Sequence, residues 1–370
     1  MPVKSTTYRN HLLVDLRPLQ GPDAKRGIGT YARGLIDGFA ELGVAAEVDL
    51  LVERGRPEPS LPARFGGFHN VRRRYHGRLW LHAETILLAR DLARIRPPLY
   101  HAIAPVVPRR SPVPVVVTLH DLIPWALGGA ALAGERLRQR PLLSQLRHAD
   151  LVLAVSAATS VDAIRIARIP DDRIRVVAPA PRAAFRPVPE AAERISARWR
   201  QTRPYLLYVG ALDFRKDPAG LLRAWDEGRR RQPDLDLLLA GDPGPQAPPE
   251  MGAARKLAYV SEEELAELYS AAVALVFPSR YEGFGLPVLE ALACGCPVVA
   301  YRNSSLPEAG GTAAVLVETG DAGALGRAAA AMLDPGRRRD VAAAGVEWAS
   351  RFSWRDTAQR TYSAYQSLLR

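Results

Sequence analysis

One short stretch, residues 278–291, does most to restrict how this chain folds, because it joins a strand pattern directly to a helix pattern. The apolar run 271–277 has the length of a buried strand and ends at a proline, and a helix pattern follows with Pro287 in its first turn. A strand that turns directly into a helix is the building unit of a parallel sheet covered by helices. The pattern therefore predicts an α/β chain, with Glu282 in the turn and Glu290 in the first turn of the helix.

The two glutamates flank a turn that suits a sugar nucleotide. Gly283 and Gly285 allow the backbone to approach a ligand closely. A carboxylate accepts hydrogen bonds from two neighbouring sugar hydroxyls, and the start of a helix offers amides and a positive dipole end to phosphate. The spacing alone also fits ordinary surface carboxylates.

The full string resembles a known family. Residues 282–291 read E-G-F-G-L-P-V-L-E-A, and residues 294–300 continue as C-G-C-P-V-V-A. This string resembles the E-x7-E signature of the retaining, nucleotide-sugar-dependent glycosyltransferases of family GT4. The resemblance implies the GT-B fold, in which two doubly wound, Rossmann-like α/β domains face an interdomain cleft.

The rest of the sequence alternates strand and helix patterns in two successive halves. A proline-rich segment, 178–189, separates the halves and is typical of a linker. We therefore predict a first domain over residues 1–182, which binds the acceptor, and a second over 183–353, which binds the nucleotide sugar. The resemblance implies that a terminal helix, 354–370, crosses back to the first domain. Residues 56–70 are rich in proline and glycine and are predicted to be a loop.

Gly27 and Gly29 open a helix pattern in the first half and allow two interpretations. With Ala32 they spell G-x-G-x-x-A, which favours the alternative of an NAD-dependent dehydrogenase. That fingerprint needs glycines directly after a strand, whereas roughly ten residues separate this pair from the apolar run that ends at Asp15. In the family that the chain resembles, the glycine pair leaves room for the phosphate and sugar of the donor.

A histidine and an aspartate, His120 and Asp121, follow the continuous apolar run 114–119. Carboxyl ends of strands in an open parallel sheet border the crevice where ligands bind. The segment T-L-H-D-L-I-P-W resembles the family's T-x-H-D-x-x-P, which implies that His120 lies beside the transferred sugar and that Asp121 orients the loop. His101 is a second candidate at a strand end, and the other histidines are interpreted as structural or surface residues.

Arg215 and Lys216 stand at a helix entry, after the strand pattern 205–209 and a glycine turn. Adjacent arginine and lysine suit a diphosphate, because the guanidinium binds oxygens in pairs and the ammonium is a compact charge. The segment resembles the family's V-G-x-x-x-x-R-K-N. Many relatives carry another arginine where this chain has Ala211, so Arg215 is expected to carry more of the phosphate binding.

The resemblance implies a role for each donor-binding residue. Glu290 binds the ribose, Arg215 and Lys216 bind the diphosphate, and Glu282 binds the sugar hydroxyls. The catalytic set is His120, Glu282, Arg215 and Lys216, and the substrate-binding set is Gly27, Gly29, Asp121, Val260, Phe284, Gly285, Leu286 and Glu290. Val260 belongs to the latter because the turn before a predicted capping box, Ser261 with Glu264, lies against the base in relatives.

The predicted reaction is retaining transfer of a hexosyl group, with GDP-mannose as the first donor to consider. The acceptor is a hydroxyl of a glycan, a lipid-linked sugar or a small natural product. The resemblance implies no cofactor and no metal ion. A phosphorylase of GT-B type and a non-catalytic sugar-nucleotide-binding protein stay open as further alternatives.

The net charge of +11 and the two cysteines bear on partners and location. The charge fits an anionic donor or an anionic membrane surface, and no zinc finger or basic zipper indicates nucleic acid. Residues 71–80 are basic and aromatic and fit an anionic acceptor, lipid head groups or an ordinary surface helix. Without an apolar signal core, the sequence predicts a cytoplasmic protein, with peripheral contact at the inner membrane surface left open. Cys294 and Cys296 are expected to be reduced and buried.

Overall fold

The computed structural model describes residues 11–21, 24, 26–71, 80–108, 110–241, 252–257 and 260–370. The chain divides into two compact units. The first contains the chain up to Pro179 together with Ser353–Arg370, and the second contains Ala180–Phe352.

The first unit is built on a parallel sheet. In chain order its strands, β1 to β7, are Leu12–Asp15, Val48–Glu53, Gly67–Val71, Tyr100–Ala102, Val115–Leu119, Leu151–Ala154 and Ile174–Val176. They lie in the order β3-β2-β1-β4-β5-β6-β7. The strand order reverses between β1 and β4, which makes this the switch point of a doubly wound sheet.

The second unit repeats this plan. Its strands, β8 to β13, are Tyr205–Val209, Asp236–Ala240, Arg255–Lys256, Ala274–Phe277, Val298–Tyr301 and Val315–Val317. They lie in the order β10-β9-β8-β11-β12-β13 with parallel pairing, so the switch point falls between β8 and β11.

Helices connect the strands in both units. In the first unit they are α1 Gly27–Leu42, α2 Trp80–Ile95, α3 Ile123–Ala126, α4 Ala133–Leu146 and α5 Ala157–Arg165. In the second they are α6 Ala191–Trp199, α7 Pro218–Arg229, α8 Glu262–Ala271, α9 Leu286–Ala293, α10 Leu306–Gly310, α11 Ala322–Ala331 and α12 Pro335–Ala349. The last helix, α13 Trp354–Leu369, returns to the first unit.

The central strands are mostly apolar and buried because helices cover both faces of a parallel sheet. Leu13, Val116 and Val152 in the first sheet are fully buried, as are Leu207 and Val276 in the second. Among the helices of the described residues, none is both long and apolar enough to cross a membrane.

Close packing of α13 against α1 depends on two glycines of α1. A Cβ atom at Gly34 would lie 1.9 Å from the Trp354 ring, and one at Gly38 would lie 2.2 Å from the Trp354 carbonyl oxygen. The Thr357 hydroxyl donates a hydrogen bond of 2.8 Å to the Ala178 carbonyl. The final helix is therefore an integral part of the first unit.

The predicted loop over residues 56–70 is wrong at its end, where β3 forms Gly67–Val71. This edge strand is only partly covered, and its side chains alternate between half-buried and exposed before Val71. Its His69 Nε2 lies 2.7 Å from the buried carboxylate of Asp49. The prolines and glycines before β3 predict a loop, and a short strand with polar residues has no apolar pattern to indicate otherwise.

Candidate active site

The residues predicted to bind the donor follow the two strands that flank the switch point of the second sheet. Arg215 and Lys216 follow β8, and Glu282 follows β11, which pairs directly with β8. Ligands of doubly wound sheets bind at the carboxyl ends of strands at this point. The fold therefore places the predicted cations and carboxylate where a ligand site is expected.

A tight turn after β8 presents the two cations. Gly210 begins it with a φ angle of 126°, in the range that favours glycine. A single 3₁₀ turn, Phe214–Lys216, follows. The Asp213 carboxylate accepts a hydrogen bond of 3.2 Å from the Lys216 amide and another of 3.2 Å from Arg215 Nη2. Asp213 thus holds both the backbone of the turn at Lys216 and the side chain of Arg215.

Asp217 ends this turn and starts α7. Its φ of 47° is left-handed, which is uncommon outside glycine, asparagine and aspartate. Its buried carboxylate accepts hydrogen bonds from the Gly220 amide at 3.1 Å and the Tyr301 hydroxyl at 3.2 Å. It also lies 3.2 Å from Arg280 Nη2. These contacts hold the backbone directly after the two cations.

Glu282 joins both cations in one cluster, in which Lys216 and Glu282 are buried and Arg215 is half-buried. Lys216 Nζ lies 2.5 Å from Glu282 Oε1, and Arg215 Nη1 lies 3.3 Å from Oε2. The Ser279 hydroxyl also donates a hydrogen bond to Oε1. Lys216 Nζ lies 4.3 Å from the centre of the Phe277 ring, which adds a cation–π contact. The sequence identified these residues, but not their mutual ion pairs.

The cluster keeps Glu282 ionised. Burial raises the pKa of Glu282, but the charges of Lys216 and Arg215 and the hydrogen bonds from Lys216 and Ser279 outweigh burial, so that its pKa is lowered. Burial lowers the pKa of Lys216, and the Glu282 carboxylate offsets only part of that effect. The ammonium therefore depends on Glu282 to remain charged.

Serines and an asparagine hold the loop that carries Glu282. The Glu282 amide donates to Ser304 Oγ at 2.9 Å, and the Ser305 hydroxyl donates to the Glu282 carbonyl at 3.0 Å. Asn303 Nδ2 donates to the Ser279 carbonyl at 3.0 Å. The segment after β12 therefore positions the glutamate after β11.

Phe284, Gly285 and Leu286 form the turn into α9. Gly285 has a φ of 99°, and a Cβ atom there would lie 2.9 Å from the Leu306 side chain, so glycine is required. The Phe284 ring is buried and packs edge-on against Phe352, with ring centres 6.1 Å apart. Only the backbone of Phe284 is therefore suited to contact a ligand.

The sequence predicts Glu290 in the first turn of its helix, but the structure places it beyond that turn. α9 begins at Leu286, one residue before Pro287, and has no acidic residue in its first turn. Glu290 lies one turn further along and is buried, with 7% of its surface exposed. The left-handed Gly285 at the N-cap starts the helix earlier than the proline indicates.

The pKa of Glu290 is raised above the neutral range. Burial is the main cause and the negative charge of Glu262 adds to it, while the Tyr269 hydroxyl opposes them, and together they raise the pKa from 4.5 to about 8. Glu262 is the first residue of α8, so the start of this helix lies close to Glu290. Val260 is half-buried just before it. The predicted capping box of Ser261 and Glu264 is confirmed.

In the first unit, His120 follows β5 as predicted. Its Nε2 donates a hydrogen bond of 2.9 Å to the Ile103 carbonyl, which leaves Nδ1 as the acceptor of the neutral ring. Burial lowers the pKa of His120 to about 4. Asp121 is exposed, and its carboxylate accepts a hydrogen bond of 3.2 Å from the Ile123 amide.

Gly27 and Gly29 lie in the first turn of α1. Tyr31 of the same helix packs edge-on against the His120 ring, with ring centres 5.1 Å apart. On another side Tyr31 contacts Trp354 of α13, with ring centres 5.6 Å apart. The helix that carries the predicted glycine pair thereby also supports the histidine.

His101 is not a ligand-binding candidate in the structure. It is fully buried within β4, with Nδ1 2.5 Å from the Tyr365 hydroxyl and Nε2 2.8 Å from Thr118 Oγ1. Burial lowers its pKa to about 3, so the ring is neutral. The residue joins α13 to the sheet, a role that a strand pattern alone does not reveal.

A charged cluster at the carboxyl end of β1 was missed by the sequence analysis. Arg17 Nη2 lies 2.6 Å from Asp15 Oδ2, and its other terminal nitrogen contacts the Glu84 carboxylate. The Tyr100 hydroxyl donates a hydrogen bond of 2.7 Å to Asp15. Asp15 and Arg17 are neighbours in sequence, but nothing in the pattern connects them with Glu84 or Tyr100.

The part of the chain that the structure describes contains no group of three or more His, Cys, Asp or Glu residues arranged to hold a metal ion. The basic stretch 71–80 lies mostly outside the described residues, since 72–79 are not among them.

Two family profiles match the chain, and they cover both units. Residues 190–348 match the profile described as "Glycosyl transferases group 1". Residues 25–181 match the one described as "Glycosyltransferase Family 4". The two matches together contain all twelve of the predicted site residues.

The relatives agree with the profiles. The chain is 34% identical to O-antigen chain mannosyltransferase B of Escherichia coli, over 63% of this chain and 65% of that protein. It is 31% identical to the D-inositol 3-phosphate glycosyltransferase of Kribbella flavida, over 81% of this chain and 72% of that protein. The chain therefore belongs to the group 1 family of glycosyltransferases, as predicted.

Solved structures, among them the glycosyltransferase WaaG, share the fold. The structure of Anabaena HepE in complex with UDP-glucose matches 96% of this chain and 99% of its own, with a TM-score of 0.71 and 16% sequence identity. Together with the two parallel Rossmann-like sheets, this confirms the predicted α/β fold class, GT-B.

Proposed function

We propose that this protein is a retaining glycosyltransferase that transfers a hexosyl group from a nucleoside diphosphate sugar to a hydroxyl. The observation that carries the proposal is the cluster of Arg215, Lys216 and Glu282 at the switch point of the second sheet. The diphosphate gains negative charge as it departs. Cations that are fixed before the reaction stabilise that charge without reorganisation.

The donor diphosphate binds to Lys216 and Arg215. A lysine ammonium has three N–H donors. Among the described residues, the hydrogen bond of Lys216 Nζ goes to Glu282, which leaves two donors for phosphate oxygens. Glu282 keeps the ammonium charged and in place, and the role predicted for its carboxylate toward the donor is a hydrogen bond with a sugar hydroxyl.

In the transfer step the bond between the anomeric carbon and the diphosphate oxygen breaks, and its electron pair leaves with the diphosphate. The acceptor oxygen bonds to the same face of the anomeric carbon, and its proton passes to the departing phosphate. Glu282 is a poor candidate for the base, since its pKa is lowered by two cations. This division of roles needs no covalent intermediate on the protein.

The remaining predicted contacts follow the same scheme. Glu290 binds the ribose and Val260 the base, while the amides of Phe284, Gly285 and Leu286 bind the sugar. The predicted roles of His120, Asp121, Gly27 and Gly29 toward the sugar and phosphate stay part of the proposal.

Mannose is the first donor sugar to test, since a mannosyltransferase is among the most similar relatives. HepE was solved with UDP-glucose, so both GDP and UDP donors belong in the panel. The acceptor is a glycan, a lipid-linked sugar or a small natural product. We also propose that transfer needs neither metal nor cofactor, and that the protein acts in the cytoplasm, with peripheral contact to an anionic membrane.

The alternatives differ in what they predict. A dehydrogenase would require the glycine pair to follow β1 directly, but α1 starts only at Gly27, whereas β1 ends at Asp15. The family matches leave that alternative without support. A non-catalytic protein would bind the donor without turnover.

Turnover on a donor panel tests the proposal. Purified protein is given GDP-mannose, UDP-glucose and related donors with glycan and lipid-linked acceptors, with and without EDTA, and the anomeric configuration of the product is read by NMR. We expect one donor to react with retention in EDTA, and Lys216→Ala to lower kcat/KM on the order of 10²-fold. The exposed Lys256→Ala is the matched control. Inversion, loss of transfer in EDTA or an unaffected Lys216→Ala would contradict the proposal.

A further inference from the structure

Tyr31 of α1 lies against the ring of His120, the histidine that follows β5. The two ring centres are 5.1 Å apart and the ring planes meet at 89°, which is an edge-to-face contact. Tyr31 has 1% of its surface exposed, whereas His120 is half-buried. Tyr31 is therefore shielded from a ligand that touches His120, and any effect of Tyr31 on a reaction passes through its neighbours.

Trp354 of α13 supports Tyr31 from another side. The centres of these two rings lie 5.6 Å apart, with the planes at 81°. Trp354 has little room to move, because a Cβ atom at Gly34 would lie 1.9 Å from its ring and one at Gly38 would lie 2.2 Å from its carbonyl oxygen. The ring of Tyr31 therefore rests on a closely packed support.

The ring of Tyr31, rather than its hydroxyl, makes both contacts. Among the described residues, no hydrogen bond of normal geometry reaches the Tyr31 hydroxyl. Burial raises the pKa of Tyr31 to about 12, and the hydroxyls of Thr118 and Thr361 oppose only part of that rise. Phenylalanine at this position would therefore keep the two ring contacts without the loss of a strong hydrogen bond.

A single hydrogen bond does not fix the plane of the His120 ring. Its Nε2 donates a bond of 2.9 Å to the Ile103 carbonyl, and the ring can still turn about that bond. The χ2 torsion of histidine is broad, so the plane is set by what packs against the ring. The edge-to-face contact with Tyr31 provides such packing and, with Nε2 held as the donor, sets the direction of the acceptor Nδ1.

We propose that Tyr31 is a positioning residue for sugar transfer: it holds the plane of the His120 ring and thereby aims Nδ1 as an acceptor for a substrate hydroxyl. The inference rests on the proposed transferase function and gives Tyr31 a role in it. A small misplacement of a group that contacts substrate slows a reaction, because catalysis by positioning depends on distance and angle. Trp354 and the glycines of α1 form the support behind Tyr31.

Nitrogen NMR of the full-length protein with ¹⁵N-labelled histidine tests the contact without any substrate. Burial lowers the pKa of His120 to about 4, so its ring is neutral at pH 7 and the spectrum shows which nitrogen carries the proton. His120→Gln assigns the signal. We expect the wild type and Tyr31→Phe to show one tautomer, with the proton on Nε2. Tyr31→Met and Tyr31→Leu remove the flat ring and should show a mixture of both tautomers, and methionine fills most of the space, which limits the loss of stability.

Turnover with the donor and acceptor that the panel identifies tests the consequence for the reaction. We expect Tyr31→Met to lower kcat on the order of tenfold and to leave KM for the donor within about twofold, because the loss concerns the alignment of reacting groups. Tyr31→Phe should keep the wild-type rate. Phe39→Met is the matched control, since Phe39 is a fully buried residue of α1 whose ring centre lies 6.3 Å from that of Tyr365 in α13. It removes a similar contact between the same helices and should keep the wild-type kcat.

An unchanged His120 signal in Tyr31→Met and Tyr31→Leu would overturn the proposal. So would an equal loss of kcat in Tyr31→Met and Phe39→Met, because that result indicates a general loosening of the two helices. If the wild type transfers sugar and the folded Tyr31→Leu does so at the same rate, the positioning role fails while the transferase function stands. If the His120 tautomer depends on Tyr31 but the wild type turns over no donor, the contact between the rings stands and the transferase function fails.

Discussion

Glu282 forms ion pairs with two cations, Arg215 and Lys216. Lys216 and Glu282 are 6% and 8% exposed, so neither charge is well solvated on its own. A buried charge is tolerated when it is paired and hydrogen-bonded, and removal of one partner leaves the other at a high cost. The carboxylate therefore prepares the site for an anionic ligand before that ligand arrives.

Replacement of Glu282 by glutamine should shift the pH profile of donor use. Without the carboxylate, burial lowers the pKa of Lys216 further, so the ammonium loses its proton at lower pH. In the wild type, kcat/KM for the donor should decline at high pH as Lys216 loses its proton. We expect the pH of this decline to be lower in Glu282→Gln by about one to three units. Glu347→Gln on the exposed face of α12 is the matched control. An unshifted decline with reduced activity would show that Glu282 contacts substrate only.

Glu290 should make stability depend on pH. Its pKa in the folded chain is raised from 4.5 to about 8, so its contribution is full below pH 4.5 and is lost as pH rises to about 8. In that window the unfolding free energy should fall by about 1.4 kcal/mol per pH unit from this group. Urea unfolding at pH 5 and pH 8 should show a smaller loss for Glu290→Gln than for the wild type. Parallel losses would disprove the raised pKa.

The identity of these residues was predictable, but their interactions were not. The motif strings single out Arg215, Lys216, Glu282 and Glu290 because they resemble a family signature. A string does not show that Lys216 and Glu282 pair across 66 residues, or that burial and the charge of Glu262 raise the pKa of Glu290. Such properties depend on which strands become neighbours and on burial.

At the scale of elements, apolar runs predicted the central strands well because both faces of a parallel strand are buried. The predictions were wrong where neighbouring residues favour different structures. β3 is a polar edge strand in a region of turn residues, and α9 starts at Leu286 because Gly285 turns the chain earlier than Pro287 indicates. His101 looked like a strand-end ligand, but the packing of α13 buries it.

The contact between α1 and α13 gives a test at this scale. Gly38→Ala would place a Cβ atom 2.2 Å from the Trp354 carbonyl oxygen, and backbone atoms cannot move aside cheaply. We expect a loss of about 1–3 kcal/mol in unfolding free energy. Gly134→Ala in α4 is the control, because its Cβ meets no atom within 4 Å and should be neutral or slightly stabilising. Equal stability of the two variants would contradict the close packing of these helices.

At the scale of the whole molecule, family and fold were predictable from the sequence, since motifs occur in both halves and the alternation of strands and helices repeats. The cluster of Asp15, Arg17, Glu84 and Tyr100 was not predictable. It depends on segments far apart in the chain that only the folded sheet brings together.

In the proposed function, Lys216 and Glu290 bind the nucleoside diphosphate of the donor. Thermal unfolding of the wild type, Lys216→Ala, Glu290→Ala and the control Lys256→Ala, each with GDP, UDP, ADP, dTDP or NAD, tests it most directly. At about 100 times its dissociation constant, a ligand adds about 2.7 kcal/mol of stability. We predict that one nucleoside diphosphate stabilises the wild type and the control, and that both site variants lose this effect. Stabilisation by NAD alone, by none of the nucleotides, or equally in all four proteins would contradict the account.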